Sequence, residues 1–250
     1  MDIVVCVKRV AATDTSVKIG ADGVSIDPAG VEFVLNPYDE IAIEQALLTR
    51  DQVGSGSVTV ITYGSGDAQK ELRSALAMGA DKAVLLKTDG WVFDSYAAAN
   101  AIAAHIKGQP CDLVFCGKQA VDSDNNQFGP RLAQMLGMPS ITEVSKLELA
   151  DGVLTAERSI EGAREIVTCP TPAVVTCEKG LNNPRSANLK GIMAAKKKPL
   201  ETVDAPAVTA GFKLVSLTLP APRAAGRIVG EGAAAVPALI DALKNEAKAL

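Results

Sequence analysis

Residues 112–137 read DLVFCGKQAVDSDNNQFGPRLAQMLG, and this stretch decides the architecture. Asp112-Leu113-Val114-Phe115-Cys116 is an apolar run of strand length, the pattern of a strand covered on both faces. Arg131-Leu132-Ala133-Gln134-Met135-Leu136-Gly137 has the spacing of an amphipathic helix, and a helix is expected over 126–136. The turn between them, 117–130, holds two glycines, two carboxylates and four side-chain amides, with Lys118 as its one base. A strand running into a helix through such a turn is the unit from which parallel sheets are built.

The same unit recurs on the amino-terminal side. Residues 2–7 form an apolar strand, and Asn36-Pro37 opens a helix with asparagine as N-cap and proline in the first turn. Strand 58–62 leads to helix 67–78, with Gly79 as its C-cap, and strand 83–86 to a helix capped by Asp94 that ends near Lys107. Val17–Ile19 and Val24–Ile26 flank a GADG hairpin turn. Beyond residue 142 helices drop out. ITEVSKLEL, GVLTAERSI, REIVTC and AVVTC are short strands separated by Gly or Pro, and predict an antiparallel extension. No clear periodicity marks 178–188. Residues 201–232 are rich in Pro, Ala and Gly and read as an extended arm, followed by a short helix over 234–248 whose Val236, Leu239, Ile240 and Leu243 face a second chain. The expected fold is α/β, a doubly wound, mostly parallel, Rossmann-like sheet of the adenine-nucleotide-binding type. It carries a small antiparallel extension and an extended C-terminal arm. Residues 1–200 form the nucleotide-binding domain and 201–250 the arm.

Bulk composition narrows the function. The chain has 250 residues, 48% hydrophobic but only 4% aromatic, so its core is aliphatic. A formal charge of −4 argues against a nucleic-acid binder. No run approaches the ~20 apolar residues of a membrane span, no signal-peptide pattern opens the chain, and a cytoplasmic setting is expected. Cys6, Cys111, Cys116, Cys169 and Cys177 are odd in number and form no CxxC pair, so reduced, buried thiols are expected and a metal site is not. His105 is the only histidine, which rules out a Ser–His–Asp or Cys–His set and leaves no catalytic residue to assign. There is no GxGxxG after the first strand and no P-loop.

In a parallel sheet, ligands sit beyond the carboxyl ends of the strands. Three loops lie there: Cys6-Val7-Lys8-Arg9, the Tyr63-Gly64-Ser65-Gly66 turn, and 117–130. The helix start at 125–129 offers unpaired N–H groups to a phosphate, and Asn125, Asn126 and Gln127 suit a base, ribose or phosphate. A polar capping loop without ligand is the alternative, and Asp122 and Asp124 read as capping carboxylates. Lys196, Lys197 and Lys198 form the one basic cluster. It is either a solvated run or, beside Leu189, Ile192 and Met193, a docking element for an acidic partner.

Six stretches, in this order, resemble the β subunit of electron transfer flavoproteins: VVCVKRV, LNPYDEIAIEQAL, LRSALAMGADKAVLL, CGKQAVDSDNNQFGP, PAVVTCEKGLNNPR and LKGIMAAKKKP. The resemblance covers most of residues 1–200. It implies a heterodimer whose α subunit carries the redox-active FAD, with AMP held structurally in this chain. In the electron-bifurcating branch a second FAD takes the place of AMP and NADH is oxidised. Nucleotide contacts carried over by the resemblance are Cys6, Asn36, Pro37, Tyr38, Asp39, Tyr63, and Ala120, Val121, Asp122, Ser123, Asp124, Asn125, Asn126, Gln127, Phe128, Gly129, Pro130 and Arg131. Tyr38 aligns with an aromatic residue that approaches the flavin. The family's recognition loop maps onto Ala187–Lys198, with Leu189 as the leucine inserted into partner dehydrogenases. Acyl-CoA or related dehydrogenases as donors and a quinone reductase as acceptor follow from the same resemblance. Arg9, and the absence of the proline found in Val-Lys-Gln-Val-Pro-Asp-Thr, lean toward the AMP-binding branch, while Lys190-Gly191 stands where many relatives have Pro-Asn. A stand-alone adenine-nucleotide-binding sensor is the rival from another class.

Overall fold

The computed structural model describes every residue except Trp91 and Ala224. Two compact units are present, Met1–Leu217 and Thr218–Leu250.

Met1–Leu217 is built on a nine-stranded sheet. In chain order the elements are β1 (Asp2–Cys6), β2 (Arg9–Ala11), β3 (Phe33–Leu35), α1 (Pro37–Val53), β4 (Ser57–Gly64), α2 (Gln69–Met78), β5 (Lys82–Lys87), α3 (Ser95–Ile106), β6 (Leu113–Gly117), α4 (Phe128–Leu136), β7 (Ser140–Ala150), β8 (Val153–Ile160), β9 (Ala163–Pro170), β10 (Ala173–Cys177), α5 (Leu189–Ala195) and β11 (Leu200–Asp204). The spatial order is β11-β5-β4-β1-β6-β10-β7-β8-β9. From β11 to β7 neighbouring strands run parallel, and β7-β8-β9 is an antiparallel meander. The doubly wound sheet with an antiparallel extension is therefore observed.

The strand period of two explains the two cores. Ile3, Val5, Leu113, Phe115, Ala173 and Val175 join one cluster with residues of α1 and α2. Cys6, Val114, Cys116 and Val174 join the other, with α3 and α4. The chain leaves β1 for α1 and β4 on one side, then crosses back through α3 to β6 on the other. The reversal creates a crevice between the carboxyl ends of β1 and β6, the place where such sheets hold ligands.

Several expectations need correction. AVVTC belongs not to the antiparallel extension but to β10, a parallel strand between β6 and β7. All five of its residues are buried, as a two-faced central strand requires. β7 serves both regions: its first residues pair parallel with β10, and its outer part pairs antiparallel with β8. Residues 201–204, expected at the start of the arm, belong to edge strand β11 against β5. The 17–26 hairpin reduces to one bridge between Ile19 and Ile26. Its turn is held by the Asp22 carboxylate, which accepts from the Val24 and Ser25 amides.

In Thr218–Leu250 a short 3-10 turn leads into α6 (Val236–Asp241) and a π-helical turn over Ala242–Glu246. Arg227 pairs with Glu246 at 2.5 Å. Val236, Leu239 and Ile240 are exposed. The described part of the expected arm is without helix or strand from 205 to 232, and Ala224 lies outside the described residues.

Candidate functional site

The crevice between β1 and β6 is a cleft whose floor is Cys6, Val7, Cys116 and Gly117. Tyr63 at the end of β4 forms one side; Phe93, Asp94 and Ser95 at the start of α3 form another. The 117–128 segment, including Ala120, Ser123, Asn125 and Phe128, closes it.

Asp39 organises the floor. It lies in the first turn of α1 and is buried, its carboxylate accepting from the Lys8 amide at 2.7 Å and the Gly117 amide at 3.1 Å. One side chain thus ties α1 to the ends of both β1 and β6. Burial pushes its pKa up to about 7 against the pull of those donors and Asn36. A Cβ on Gly117 would stand 2.4 Å from Asp39 Oδ1 and 2.7 Å from Tyr38 Cβ, so glycine is what lets the strand end meet the helix start.

Asn36 is not the side-chain cap expected of it; no side-chain hydrogen bond caps α1. Its amide instead donates to Gln119 O at 2.9 Å and accepts from the Val121 amide at 3.1 Å. A long-range clamp on the 117–127 loop has replaced a local cap, and Asn36 is fully buried in consequence. Lys8 pairs with Asp122 at 2.6 Å and Gln119 donates to Asp124 at 2.6 Å, so both carboxylates hold the loop's shape. Asp124 and Asn126 have positive φ, 46° and 52°, which these two residue types tolerate better than most. The Gln127 amide, next to left-handed Asn126, donates to the Asn125 side-chain oxygen at 3.2 Å, a local turn that shapes the approach to α4.

At the end of that loop α4 begins at Phe128, two residues later than the sequence spacing suggests, and Gln127 gives it no side-chain cap. The first N–H groups of a helix have no partner within it, and Pro130 has none to offer. Phe128, whose amide has no partner within the helix, lines the cleft, and Gly129 is buried behind it. Gly129 is where α4 crosses β10: a Cβ there would come 2.3 Å from Thr176 Cγ2.

Among the sequence-predicted nucleotide contacts, Cys6, Asp39, Tyr63, Ala120, Ser123, Asn125 and Phe128 line the cleft. Asn36, Val121, Asp122 and Asp124 support its loop. Pro37 and Tyr38 lie at the start of α1, and Lys118 Nζ sits 5.8 Å from the Tyr38 ring centroid while it pairs with Glu178. Asn126, Gln127, Gly129, Pro130 and Arg131 follow at the mouth of α4, where the Arg131 guanidinium lies 5.8 Å from the Tyr96 ring. Sequence reasoning does not single out Val92–Ser95 as a wall. The signal was available: it is the loop at the carboxyl end of β5, a position equivalent to the three loops that were named.

The second candidate surface is α5. Asn188 caps it, accepting from the Gly191 amide at 2.8 Å. Leu189, Ile192 and Met193 are 76%, 45% and 56% exposed. Gly191 permits α5 to press against α2, since a Cβ there would meet Ala77 O at 2.4 Å. Arg73 holds the other end by donating to Ala195 O and Lys198 O at 2.7 and 2.8 Å. Lys196 and Lys197 are exposed, but Lys198 turns inward and donates to the Leu76 and Ala80 carbonyls at the end of α2. The segment before α5 is clamped to α1 by Arg185, bidentate to Glu44 at 2.7 and 2.9 Å, and by Asn182. Among the described residues no helix is long and apolar enough to cross a membrane.

Residues 24–208 match the family model described as the electron transfer flavoprotein domain. The electron transfer flavoprotein subunit beta of Bacillus subtilis is 38% identical over the full length of both chains, and that of Bradyrhizobium diazoefficiens likewise 38%. The mitochondrial subunit beta of Oryza sativa is 37% identical, again over both full lengths. These agreements place the chain in the β-subunit family of the electron transfer flavoproteins.

Proposed function

We propose that this chain is the β subunit of a heterodimeric electron carrier. It binds AMP in the β1–β6 cleft, forms one wall of the FAD site of an α subunit, and presents α5 to dehydrogenases. Electrons then pass from a reduced acyl-CoA or related dehydrogenase to the FAD, and on to a quinone reductase. The observation that carries the reading is the uncapped amino end of α4, reached through a loop of alternating handedness, at the switch-point crevice. Residues of this kind fit an adenylate: the first turn of α4 and its helix dipole for the phosphate, and Ser123 and Asn125 for the sugar and base. FAD supplies the redox chemistry when bound; the residues here bind, orient and exclude water.

The exposed apolar triad on α5, flanked by Lys196 and Lys197, suits a transient interface with an acidic partner. The test is to purify the chain with its α partner, denature the complex and identify what is released. One FAD and one AMP per heterodimer supports the proposal. Two FAD and no AMP replaces it with the bifurcating, NADH-oxidising reading. No adenine compound beyond the α subunit's FAD refutes nucleotide binding here.

A further inference from the structure

The cleft floor carries two thiols whose sulfur chemistry the electron-carrier reading does not use, although Cys6 itself lines the proposed nucleotide cleft. Cys6 ends β1 and Cys116 lies near the end of β6, and the two are register partners on neighbouring parallel strands. Neighbouring strands lie about 4.8 Å apart, and side chains at one register level leave the sheet on the same face. Both sulfurs accordingly belong to the core beneath α3 and α4. Both are buried among free cysteines, yet both residues line the cleft. Cys177, at the end of β10, belongs to the opposite core and cannot join them from this side. Among the described residues no group of three or more His, Cys, Asp or Glu could hold a metal ion. The chemistry open to the pair is therefore that of a dithiol with two sulfur ligands.

We propose that Cys6 and Cys116 form a dithiol site in the cleft floor that captures a single thiophilic atom of low coordination number, of the class of trivalent arsenic. A trivalent arsenic atom is pyramidal, so the two sulfurs it joins lie closer together than two bond lengths, and side chains leaving one face of strands about 4.8 Å apart can lean together to meet it. Burial pushes the Cys6 thiol up and keeps it neutral, with the adjacent Cys116 adding to the effect. Reagents that need a free thiolate react slowly with such a thiol. Condensation with an arsenoxide is different, because the thiol protons leave with the oxygen. With phenylarsine oxide, two As–S bonds form, the arsenic–oxygen bond breaks, and the oxygen departs with both protons as one water. Arsenic remains trivalent, and no oxidant is required.

The experiment treats the purified complex with one equivalent of phenylarsine oxide and reads the mass of this chain. The expected result is one phenylarsenic group per chain, removed by a small dithiol but not by an equal concentration of monothiol. Uptake vanishes in Cys6→Ser and in Cys116→Ser and persists in Cys111→Ser and Cys169→Ser. Cys116→Ala, which keeps a small apolar group in the strand, gives the same loss if the serine variants fold poorly. No uptake by the unaltered chain, or uptake surviving the loss of either Cys6 or Cys116, overturns the site. Because a nucleotide seated in the cleft would cover its floor, the treatment is made on the complex both as isolated and after dialysis to remove nucleotide. The dialysed sample decides the site, and the nucleotide count on untreated complex decides AMP binding separately.

Discussion

Replacing Asp39 with asparagine makes the energetics of the cleft floor measurable. The carboxylate is buried, so its charged form loses solvation that two amide donors restore only in part. Its pKa moves from an ordinary 3.8 up to about 7. At about 1.36 kcal/mol per pKa unit, that interval corresponds to about 4 kcal/mol. The fold raises this pKa, so the folded protein holds the proton more tightly than the unfolded chain. Stability tied to the proton is complete below about pH 4 and is lost as pH rises through about 7. Asparagine cannot ionise, so its contribution is flat across the same window. Its NH2 group must, however, face either the Lys8 or the Gly117 amide, donor against donor, at a cost of about 1–3 kcal/mol. Denaturant unfolding at intervals from pH 4.5 to about pH 8 is the assay. Glu40 and Glu71 are also raised by burial, so the informative quantity is the difference between the two proteins. The Asp39→Asn variant is the less stable at low pH, and the gap narrows or reverses by pH 8. Parallel curves with a constant offset would refute the argument that burial of Asp39 controls this ionisation.

Other substitutions probe the remaining supports. Leu189→Ala removes the most exposed of the three apolar anchors on α5. The expectation is a loss of about tenfold or more in kcat/KM for reduction by the partner dehydrogenase, with FAD content unchanged; unaltered kinetics would remove α5 from the docking surface. Gly117→Ala forces a Cβ against Asp39 and Tyr38 and should lower stability by about 1–3 kcal/mol, read by denaturant midpoint, with weaker nucleotide retention. Arg185→Ala leaves the buried Glu44 carboxylate without its bidentate partner and should cost about 1–3 kcal/mol in the same assay. A conservative Arg185→Lys recovers only part of that loss, because a single ammonium cannot make both bonds.

Much of this fold can be read from local chemistry, and the places where it cannot are instructive. Unbroken apolar runs such as Leu113–Cys116 mark strands buried on both faces, and Asp94 caps α3 as its position suggests, accepting from the Tyr96 amide at 2.8 Å. β10 has the same unbroken character, but its neighbours in sequence are antiparallel strands, and periodicity carries no information about which strand a run pairs with. α5 is seven residues long and exposes its apolar side chains, so it has no buried stripe to betray a helical period. The Asn36-Pro37 pair has the chemistry of a helix cap, yet Asn36 bonds to a loop more than eighty residues away. Lys196–Lys198 reads as one solvated run, but Lys198 has its own carbonyl partners, Leu76 in α2 and Ala80 just beyond it. In each case a contact distant in sequence outweighs a local rule. The candidate cleft was legible for a related reason: its loops lie at strand ends, and the topology that places them there follows from the strand–helix alternation.

The central claim is that the amino end of α4 grips the phosphate of an adenine nucleotide. A crystal structure of the complex isolated with its α partner tests it most directly. The account predicts a phosphoryl oxygen within about 3 Å of the Phe128 or Gly129 amide nitrogen, with the sugar and base lying along the β1–β6 crevice. An adenine nucleotide seated elsewhere on this chain, or a crevice filled by protein side chains with both amides bonded to them, would contradict it.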